Sequence, residues 1–305
     1  MRIIHYPTAT TGPYAATIGF FDGVHMGHRF LIGQLHETAR ERGLQSMVIT
    51  FERHPRQVVQ SHWQPQLLSS LDERIRLLST LPIDVLVVLP FDEAMARLSA
   101  REFMDSVLRE KLGVKTLLTG YDNRFGHDRT EGFADYQRYG QELGIEVTAG
   151  RPCDVDEQRV SSSLVRRLLL SGDVCEAARC LGRPYELSGR VVHGEQIGRQ
   201  LGYPTANLHI DDAHRLIPAT GVYAVDVILE NNDRVYRGMM NIGTRPTFEG
   251  HRQTLETHIF DFNGDLYDQR LSIRLLRRLR SERPFETADQ LRRQMAQDER
   301  EARRA

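Results

Sequence analysis

The stretch from Thr17 to Arg29, Thr-Ile-Gly-Phe-Phe-Asp-Gly-Val-His-Met-Gly-His-Arg, constrains this chain more than any other. A short apolar run (Ala15, Ala16, Ile18) leads into a turn whose glycines, Gly19, Gly23 and Gly27, allow close backbone approach. Beyond His28, the residues Phe30, Leu31, Leu35 and Ala39 fall near helical spacing. A strand, a glycine turn and a helix start are how an α/β fold builds an anion site, because free N–H groups and the positive helix end meet a phosphate there. A histidine at that position can donate to a phosphate oxygen as charge builds in a transition state. An isolated His-x-x-His also fits two surface turn histidines or half a metal site. Here the glycines, Asp22 and the strand–helix context favour the phosphate reading.

A chain of 305 residues exceeds one ordinary core, so two domains are expected. With 40% hydrophobic and 27% charged residues, its composition is that of a globular protein. No apolar stretch approaches membrane-spanning length, and the N-terminus lacks the apolar core of a signal peptide, so a cytoplasmic location is expected. Cys153, Cys175 and Cys180 have neither metal-ligand spacing nor an even count, and read as ordinary thiols. A net charge of −1 gives no global attraction to nucleic acid or membrane. Lys111 and Lys115 are the two lysines among 40 basic residues, and neither follows a glycine loop. ATP chemistry in this chain therefore proceeds without a Walker motif.

Residues 14–150 alternate strand and helix. Apolar runs near Met47–Phe51, Val85–Leu89, Val114–Leu118 and Ile145–Val147 show little polar alternation, which predicts a parallel sheet covered by helices on both faces. Ser70-Leu-Asp-Glu73 and Ser99-Ala-Arg-Glu102 read as capping boxes. Ligands of such sheets bind beyond the strand carboxyl ends. Three loops there carry polar residues: Phe51-Glu-Arg-His-Pro55, Thr119-Gly-Tyr-Asp-Asn-Arg-Phe-Gly126 and Val160-Ser-Ser-Ser-Leu-Val-Arg166. The serines of the last can cap a helix or hold phosphate, and Arg166 can add a forked contact. Two short helices split at Ser171-Gly172-Asp173 follow, and Gly182-Arg183-Pro184 ends them, placing a boundary between domains 1–183 and 184–305. After it the texture is β, with strands predicted at Glu186–His193, Val222–Leu229, Val235–Asn241, Leu255–Phe260 and Ser272–Leu276. Asn231-Asn232 and Asn263-Gly264 read as hairpin turns, and the spacing suggests a small antiparallel barrel. Thr287-Ala-Asp-Gln290 caps a final helix with Leu291 and Met295 as its apolar seam. In Gly189–Asn207, Gly194, Gly198 and Gly202 can let a loop fold over phosphates, while Thr205 and Asn207 offer oxygen ligands suited to Mg²⁺.

The first stretch closely resembles the Gly-x-Phe-Asp-Gly-x-His-x-Gly-His motif of nucleotidyltransferases of the FAD synthetase branch. The three loops resemble that branch's Phe-x-Pro-His-Pro, Gly-x-Asp-Phe-x-Phe-Gly and Ile-Ser-Ser-Thr-x-Ile-Arg. Arg53 stands where proline is usual, Asn123 where an aromatic is usual, and Ser163 where threonine is usual. Thr130-Glu131-Gly132 stands where Gly-Asp is common after the arginine, here Arg129. The segment ending at Asn207 resembles the riboflavin kinase motif Gly-Arg-x-Leu-Gly-Phe-Pro-Thr-Ala-Asn. Gly221-Val-Tyr223, Asn241–Thr247, Leu255-Glu256-x-His258 and Arg280-x-Glu282-x-x-Phe285 continue that likeness. From Gly19 to about Phe285 the chain thus resembles the bifunctional riboflavin kinase/FMN adenylyltransferase family.

The resemblance implies a Rossmann-like α/β nucleotidyltransferase domain followed by a riboflavin kinase barrel with a terminal helix. It implies ATP as co-substrate, Mg²⁺ as cofactor, FMN and FAD as products, and neither nucleic acid nor membrane as partner. For adenylyl transfer it implies His28 as the phosphate-stabilising residue, with Gly19, Phe20, Phe21, Asp22, His25, Ser161, Ser162, Ser163 and Arg166 at ATP. His54, Asp122, Asn123, Arg124 and Phe125 would hold FMN. For the kinase it implies Glu256 as general base, with Gly194, Gly198, Arg199, Gly202, Pro204, Thr205 and Asn207 at ATP and metal. Arg280, Glu282 and Phe285 would hold the flavin. Two other readings stay open: an N-terminal module that transfers a nucleotidyl group to another phosphate ester, and one domain retained as a flavin-binding regulator.

Overall fold

The computed structural model describes all residues except 7–9, 11, 61, 63, 65, 121–123, 128–129, 156–157, 195–197, 199–201, 231–233 and 248–249. It divides into two compact units, Met1–Ser162 and Ser163–Ala305.

The first unit is built on a parallel sheet of β1 (Arg2–His5), β2 (Tyr14–Ile18), β3 (Gln45–Phe51), β4 (Val85–Leu89), β5 (Val114–Thr119) and β6 (Glu146–Ala149). Their order across the sheet is β1-β4-β3-β2-β5-β6. The helices α1 (Met26–Glu41), α2 (Pro55–Val59), α3 (Leu71–Ser79), α4 (Glu93–Ala96), α5 (Ala100–Phe103, continued by a π-helical stretch to Lys111) and α6 (Phe133–Leu143) connect them. Both predicted capping boxes form: Ser70 accepts from the Glu73 N–H and Ser99 from the Glu102 N–H. The uniformly apolar strands are covered on both faces. Ala16, Ile18, Met47 and Ile49 pack into one core, while Ala15, Val48 and Leu86 point into the other. That alternation follows from successive side chains leaving a strand on opposite sides. β1 and a two-stranded hairpin of β7 (Asp154–Val155) and β8 (Gln158–Arg159) add to the expected elements. Strand order reverses between β2 and β5, so the loops after these strands flank the crevice where such sheets take ligands.

The second unit opens with α7 (Ser162–Ser171, its first residue belonging to the first unit) and α8 (Val174–Leu181). Both pack on the barrel. The Leu169 carbonyl accepts from the Ala219 N–H, and Val174, Ala177, Cys180 and Leu181 are buried. β9 (Tyr185–Val192), β10 (Ala206–His209), β11 (Gly221–Leu229), β12 (Val235–Thr247), β13 (Gly250–Ile259) and β14 (Arg270–Arg280) close an antiparallel barrel in the order β10-β13-β12-β11-β14-β9. The short β10 completes the barrel and went unpredicted. β12 extends past its expected end because its pairing with β13 runs out to Thr247 and Gly250, overriding the local Gly and Pro signals. Asn263-Gly264 is not a hairpin turn. β13 pairs with β10 and β12, and β14 with β11 and β9, so residues 260–269 must cross the barrel end. Asn231 and Asn232 lie outside the described residues, although β11 and β12 do pair directly from Ile228 to Val235.

α9 (Ala288–Ala302), capped by Thr287 as predicted, lies over the outer face of the barrel. Val222, Ala224, Met239, Phe260 and Ala302 form a small core beneath it, joined by Met295. Arg280 and Asp298 lock the helix in place through a largely buried bidentate pair at 2.8–3.0 Å.

Candidate active site

The loop after β2 turns sharply, with Phe21 in the left-handed region at φ 56° and Gly23 at φ 74°. The Asp22 carboxylate is what holds the turn. It is 3% exposed and accepts from the Leu68 N–H, the Ser69 N–H and the Ser69 hydroxyl at 3.0–3.2 Å. Asp22 thereby fixes the entrance to α3, and its own carbonyl accepts from the Ser162 hydroxyl at 3.0 Å. Residues 160–162 are thus drawn alongside the first loop. A side chain at Gly27 would meet the Val160 carbonyl at 3.3 Å and the His25 ring at 3.1 Å.

His25 is the N-cap of α1, and its Nδ1 accepts from the His28 N–H at 3.3 Å. A ring that accepts at Nδ1 carries its proton on Nε2 when neutral. His28 stacks on His25 with ring centroids 3.6 Å apart and meets the edge of Phe21 at 5.2 Å. Its Nδ1 is enclosed and has no hydrogen-bond partner among the described residues. Burial, then the neighbouring His25 and Arg74, hold the His28 imidazole well below the usual histidine pKa. Burial beside a guanidinium thus keeps the His28 ring from taking up a second proton readily.

Gly19 and Phe20 border this turn, and Phe20 meets His54 edge-on at 4.6 Å. His54 in turn caps α2, accepting from the Arg56 N–H at 3.1 Å. Ser161 and Arg166 are half-buried and Ser163 is exposed in the first turn of α7. Arg124 is exposed, while Phe125 stacks on Tyr136 with centroids 4.2 Å apart and is part of the core wall. Asp122, Asn123 and Arg129 lie outside the described residues. Glu131, the acidic departure from the usual motif, accepts from the Ala100 N–H at 3.1 Å and the Tyr139 hydroxyl at 2.7 Å. It secures the start of α5. Arg74, absent from the sequence expectation, is 1% exposed with its guanidinium 4.0 Å from the Phe20 ring centroid.

In the second unit, a cavity of about 310 Å³ opens between the outer barrel face and α9. Thr205, Glu256, Glu282 and Phe285 line it, with Val222, Met239, Leu291 and Met295 as its apolar walls. β13 alternates as its sequence requires. Leu255, Thr257 and Ile259 are buried on one face, while Glu256 and His258 lie on the other and reach the cavity. Asn207 and Asn241 sit opposite Glu256 in the two neighbouring strands. Gly194 is there because of Asn207: a Cβ would stand 2.2 Å from the amide nitrogen. Gly198 abuts Thr205, Gly202 and Pro204 are exposed, and the Pro204 carbonyl is 2.7 Å from His258 Nδ1. Arg199 lies outside the described residues. Arg280 lines the cavity but directs its guanidinium to Asp298, and it also packs 5.6 Å from the Phe285 ring centroid. A second cavity of about 560 Å³ shares Thr205 with the first and is walled by Val191, Ile259, Phe262 and Tyr267. The sequence signals for Asn241, Met239 and Asp298 are weak. Thr205, Glu256, Arg280, Glu282 and Phe285, expected at the kinase site from the sequence, all line the cavity.

These two arrangements meet their counterparts in known proteins. Residues 8–164 match the family model of FAD synthetase, and residues 181–305 that of riboflavin kinase. Together they define a two-unit flavin nucleotide transferase. The chain is 40% identical to the bifunctional riboflavin kinase/FMN adenylyltransferase of Escherichia coli strain K12 over 94% of its own length and 91% of that protein's. It is 36% identical to the protein of that name from Bacillus subtilis, over 93% and 90% of the two chains. The chain belongs to the bifunctional riboflavin kinase/FMN adenylyltransferase family. A crystal structure titled macrolide-efflux protein, from Streptococcus pneumoniae, shares the fold at TM-score 0.89 and 32% identity, with 99% of each chain covered. Among the described residues of the present chain, no helix is long and apolar enough to cross a membrane.

Proposed function

We propose that the two steps of flavin cofactor synthesis divide at Arg183/Pro184, with adenylyl transfer assigned to residues 1–183, α7 and α8 included, and riboflavin phosphorylation to the barrel and α9 of residues 184–305. The protein is a riboflavin kinase and FMN adenylyltransferase: ATP phosphorylates riboflavin to FMN, and a second ATP adenylylates FMN to FAD with release of pyrophosphate.

In the barrel, the flavin ring takes the apolar cavity against Phe285, Met239 and Met295, and ATP takes the neighbouring cavity. Thr205 borders both, which is where the phosphates must lie if the two substrates are to meet. Glu256 accepts the proton of the ribityl 5′-hydroxyl as its oxygen attacks the γ-phosphorus. The bond to the β-phosphate oxygen breaks and ADP leaves. Phosphoryl transfer asks mainly for alignment and charge neutralisation. Thr205 and Asn207 are hard oxygen donors on one short stretch, and the missing side chain at Gly194 leaves room over Asn207. They fit Mg²⁺, which keeps most of its shell for water and phosphate. No cluster of three or more His, Cys, Asp or Glu among the described residues offers a different metal site. When bound there, Mg²⁺ neutralises phosphate charge.

In the parallel-sheet unit, an FMN phosphate oxygen attacks the α-phosphorus of ATP and pyrophosphate leaves. FMN is already anionic, so no strong base is needed. His28 and the first-turn N–H groups of α1 stabilise the charge that develops. His25 orders that turn as its cap, and Asp22 holds the loop. Cys153, Cys175 and Cys180 form no disulfide among the described residues, which suits a reducing cytoplasm.

The observation that carries this reading is the single cavity that gathers Thr205, Glu256, Glu282 and Phe285 from distant parts of the sequence. The test is incubation with riboflavin, ATP and Mg²⁺ followed by chromatography of the flavins. FMN and then FAD are expected; absence of FMN removes the kinase assignment, and FMN without FAD removes the second step.

A further inference from the structure

α3 has two buried positions one turn apart, Arg74 and Leu78. An arginine at a buried position needs a reason, because taking a cation out of water is costly unless it is fully paired. Arg74 is not. One nitrogen, Nη2, donates to the Phe51 carbonyl at 2.6 Å, but Nε and Nη1 are enclosed and meet no acceptor among the described residues. The guanidinium carbon lies over Phe20, 4.0 Å from the ring centroid. Burial pushes its pKa down to about 10, and Asp22 opposes that fall.

These contacts converge on the adenylyl-transfer site. Phe20 belongs to the loop after β2 and Phe51 ends β3, one turn before His54, whose ring meets Phe20 edge-on. We propose that Arg74 is a positioning residue for adenylyl transfer, locking the loops after β2 and β3 together from beneath Phe20 and setting the electrostatic environment of His28. This rests on the assignment of His28 to that reaction. The groups that face His28 are His25 on its own helix, Arg74 from α3, and Asp22 from the preceding turn, which acts on it through Arg74. Burial, His25 and Arg74 all disfavour the imidazolium, so the ring is available as a neutral donor. A polyphosphate entering beside it reverses that balance.

The experiment uses the full-length protein with ¹³C-labelled histidine. The His28 resonance is identified by its loss in His28→Ala. Arg74→Met and Arg74→Gln remove the charge, the second keeping a donor for the Phe51 carbonyl, and Arg74→Lys restores it. In each variant that keeps its near-ultraviolet circular dichroism, the His28 titration and the pH profile of FAD formation from supplied FMN and ATP are measured. Removing the charge is expected to raise the His28 midpoint and to lower kcat/KM for ATP by up to about a hundredfold through loss of alignment. Lysine should return the midpoint to its wild-type position. An unmoved midpoint and pH profile in a folded Met or Gln variant overturns the proposal. Wild-type FAD formation by His28→Ala overturns the His28 assignment instead, and the two failures are read separately.

Discussion

Asp22 offers the most direct test of how the first loop is held. Its carboxylate is enclosed and receives three donors, two backbone N–H groups and one hydroxyl, one of them shared between both oxygens. Asp22→Asn keeps the size but replaces one oxygen with an NH₂ group. That group faces the Leu68 N–H, donor against donor. The remaining bonds also lose their charge assistance, which lowers each from roughly 1.5–3 to roughly 0.5–1.5 kcal/mol. Three weakened bonds give a loss of about 3 kcal/mol. Relief of the buried charge offsets part of this, but Arg74 then loses the carboxylate that supports its own charge. For a unit of this size, each kcal/mol moves the midpoint by about 2–4 °C. A fall of about 6–12 °C is therefore expected in the unfolding transition that abolishes FAD formation. The assay is differential scanning calorimetry paired with residual activity after heating, with FMN formation from riboflavin as the internal control. A midpoint within about 2 °C of wild type would mean that the loop is held by something other than these bonds.

Four further outcomes follow from the same geometry. Because His28 is held neutral, the unfolded chain binds a proton below pH 6.5 that the folded one refuses, so stability is complete above that value and falls as pH drops. Between pH 7.5 and 5.5, urea titrations should show wild type losing more stability than His28→Ala; equal losses would contradict the buried-neutral state. Glu256→Gln should lower riboflavin phosphorylation by roughly two to four decades while leaving conversion of supplied FMN to FAD intact; normal phosphorylation would remove Glu256 as the base. Asp298→Asn leaves Arg280 under α9 without its carboxylate and should cost about 3–5 kcal/mol, read as a lower midpoint for loss of kinase activity and a raised KM for riboflavin. A fragment of residues 163–305 should melt above one of residues 184–305, since α7 and α8 bury Leu169, Val174, Ala177 and Leu181; both should still make FMN, and identical melting would show that the helices add nothing to the barrel.

Local and periodic signals carried most of the fold. The apolar strands of the first unit, the capping boxes at Ser70 and Ser99 and the alternation of Leu255–Ile259 are each consequences of nearest-neighbour chemistry, and each forms as its sequence requires. Elements that depend on distant partners were illegible. β10 is four residues long and exists because β9 and β13 flank it. Asn263-Gly264 has the composition of a hairpin turn, yet its strands are not neighbours in the barrel, and no local signal carries that information.

The same division runs through the sites. The histidine motif could be read because its glycines, its helix start and its spacing act within a dozen residues. Arg74 could not, because its significance lies in being buried beside residues more than twenty positions away. In sequence it is one more arginine on a charged helix. Asp22 shows the intermediate case. Its place in the motif suggested a ligand contact, and in the structure its oxygens are taken up by Leu68 and Ser69. A carboxylate used in this way does its chemistry at second hand. By fixing the start of α3 it carries the Arg74 guanidinium under Phe20, and by its charge it supports a cation that would otherwise be held in a low-dielectric site with one hydrogen bond. Motif residues and the silent arginine therefore form one unit, Asp22 holding α3, α3 delivering Arg74, and Arg74 acting on Phe20 and His28. Altering any member should be felt at His28 even where the altered residue touches no substrate.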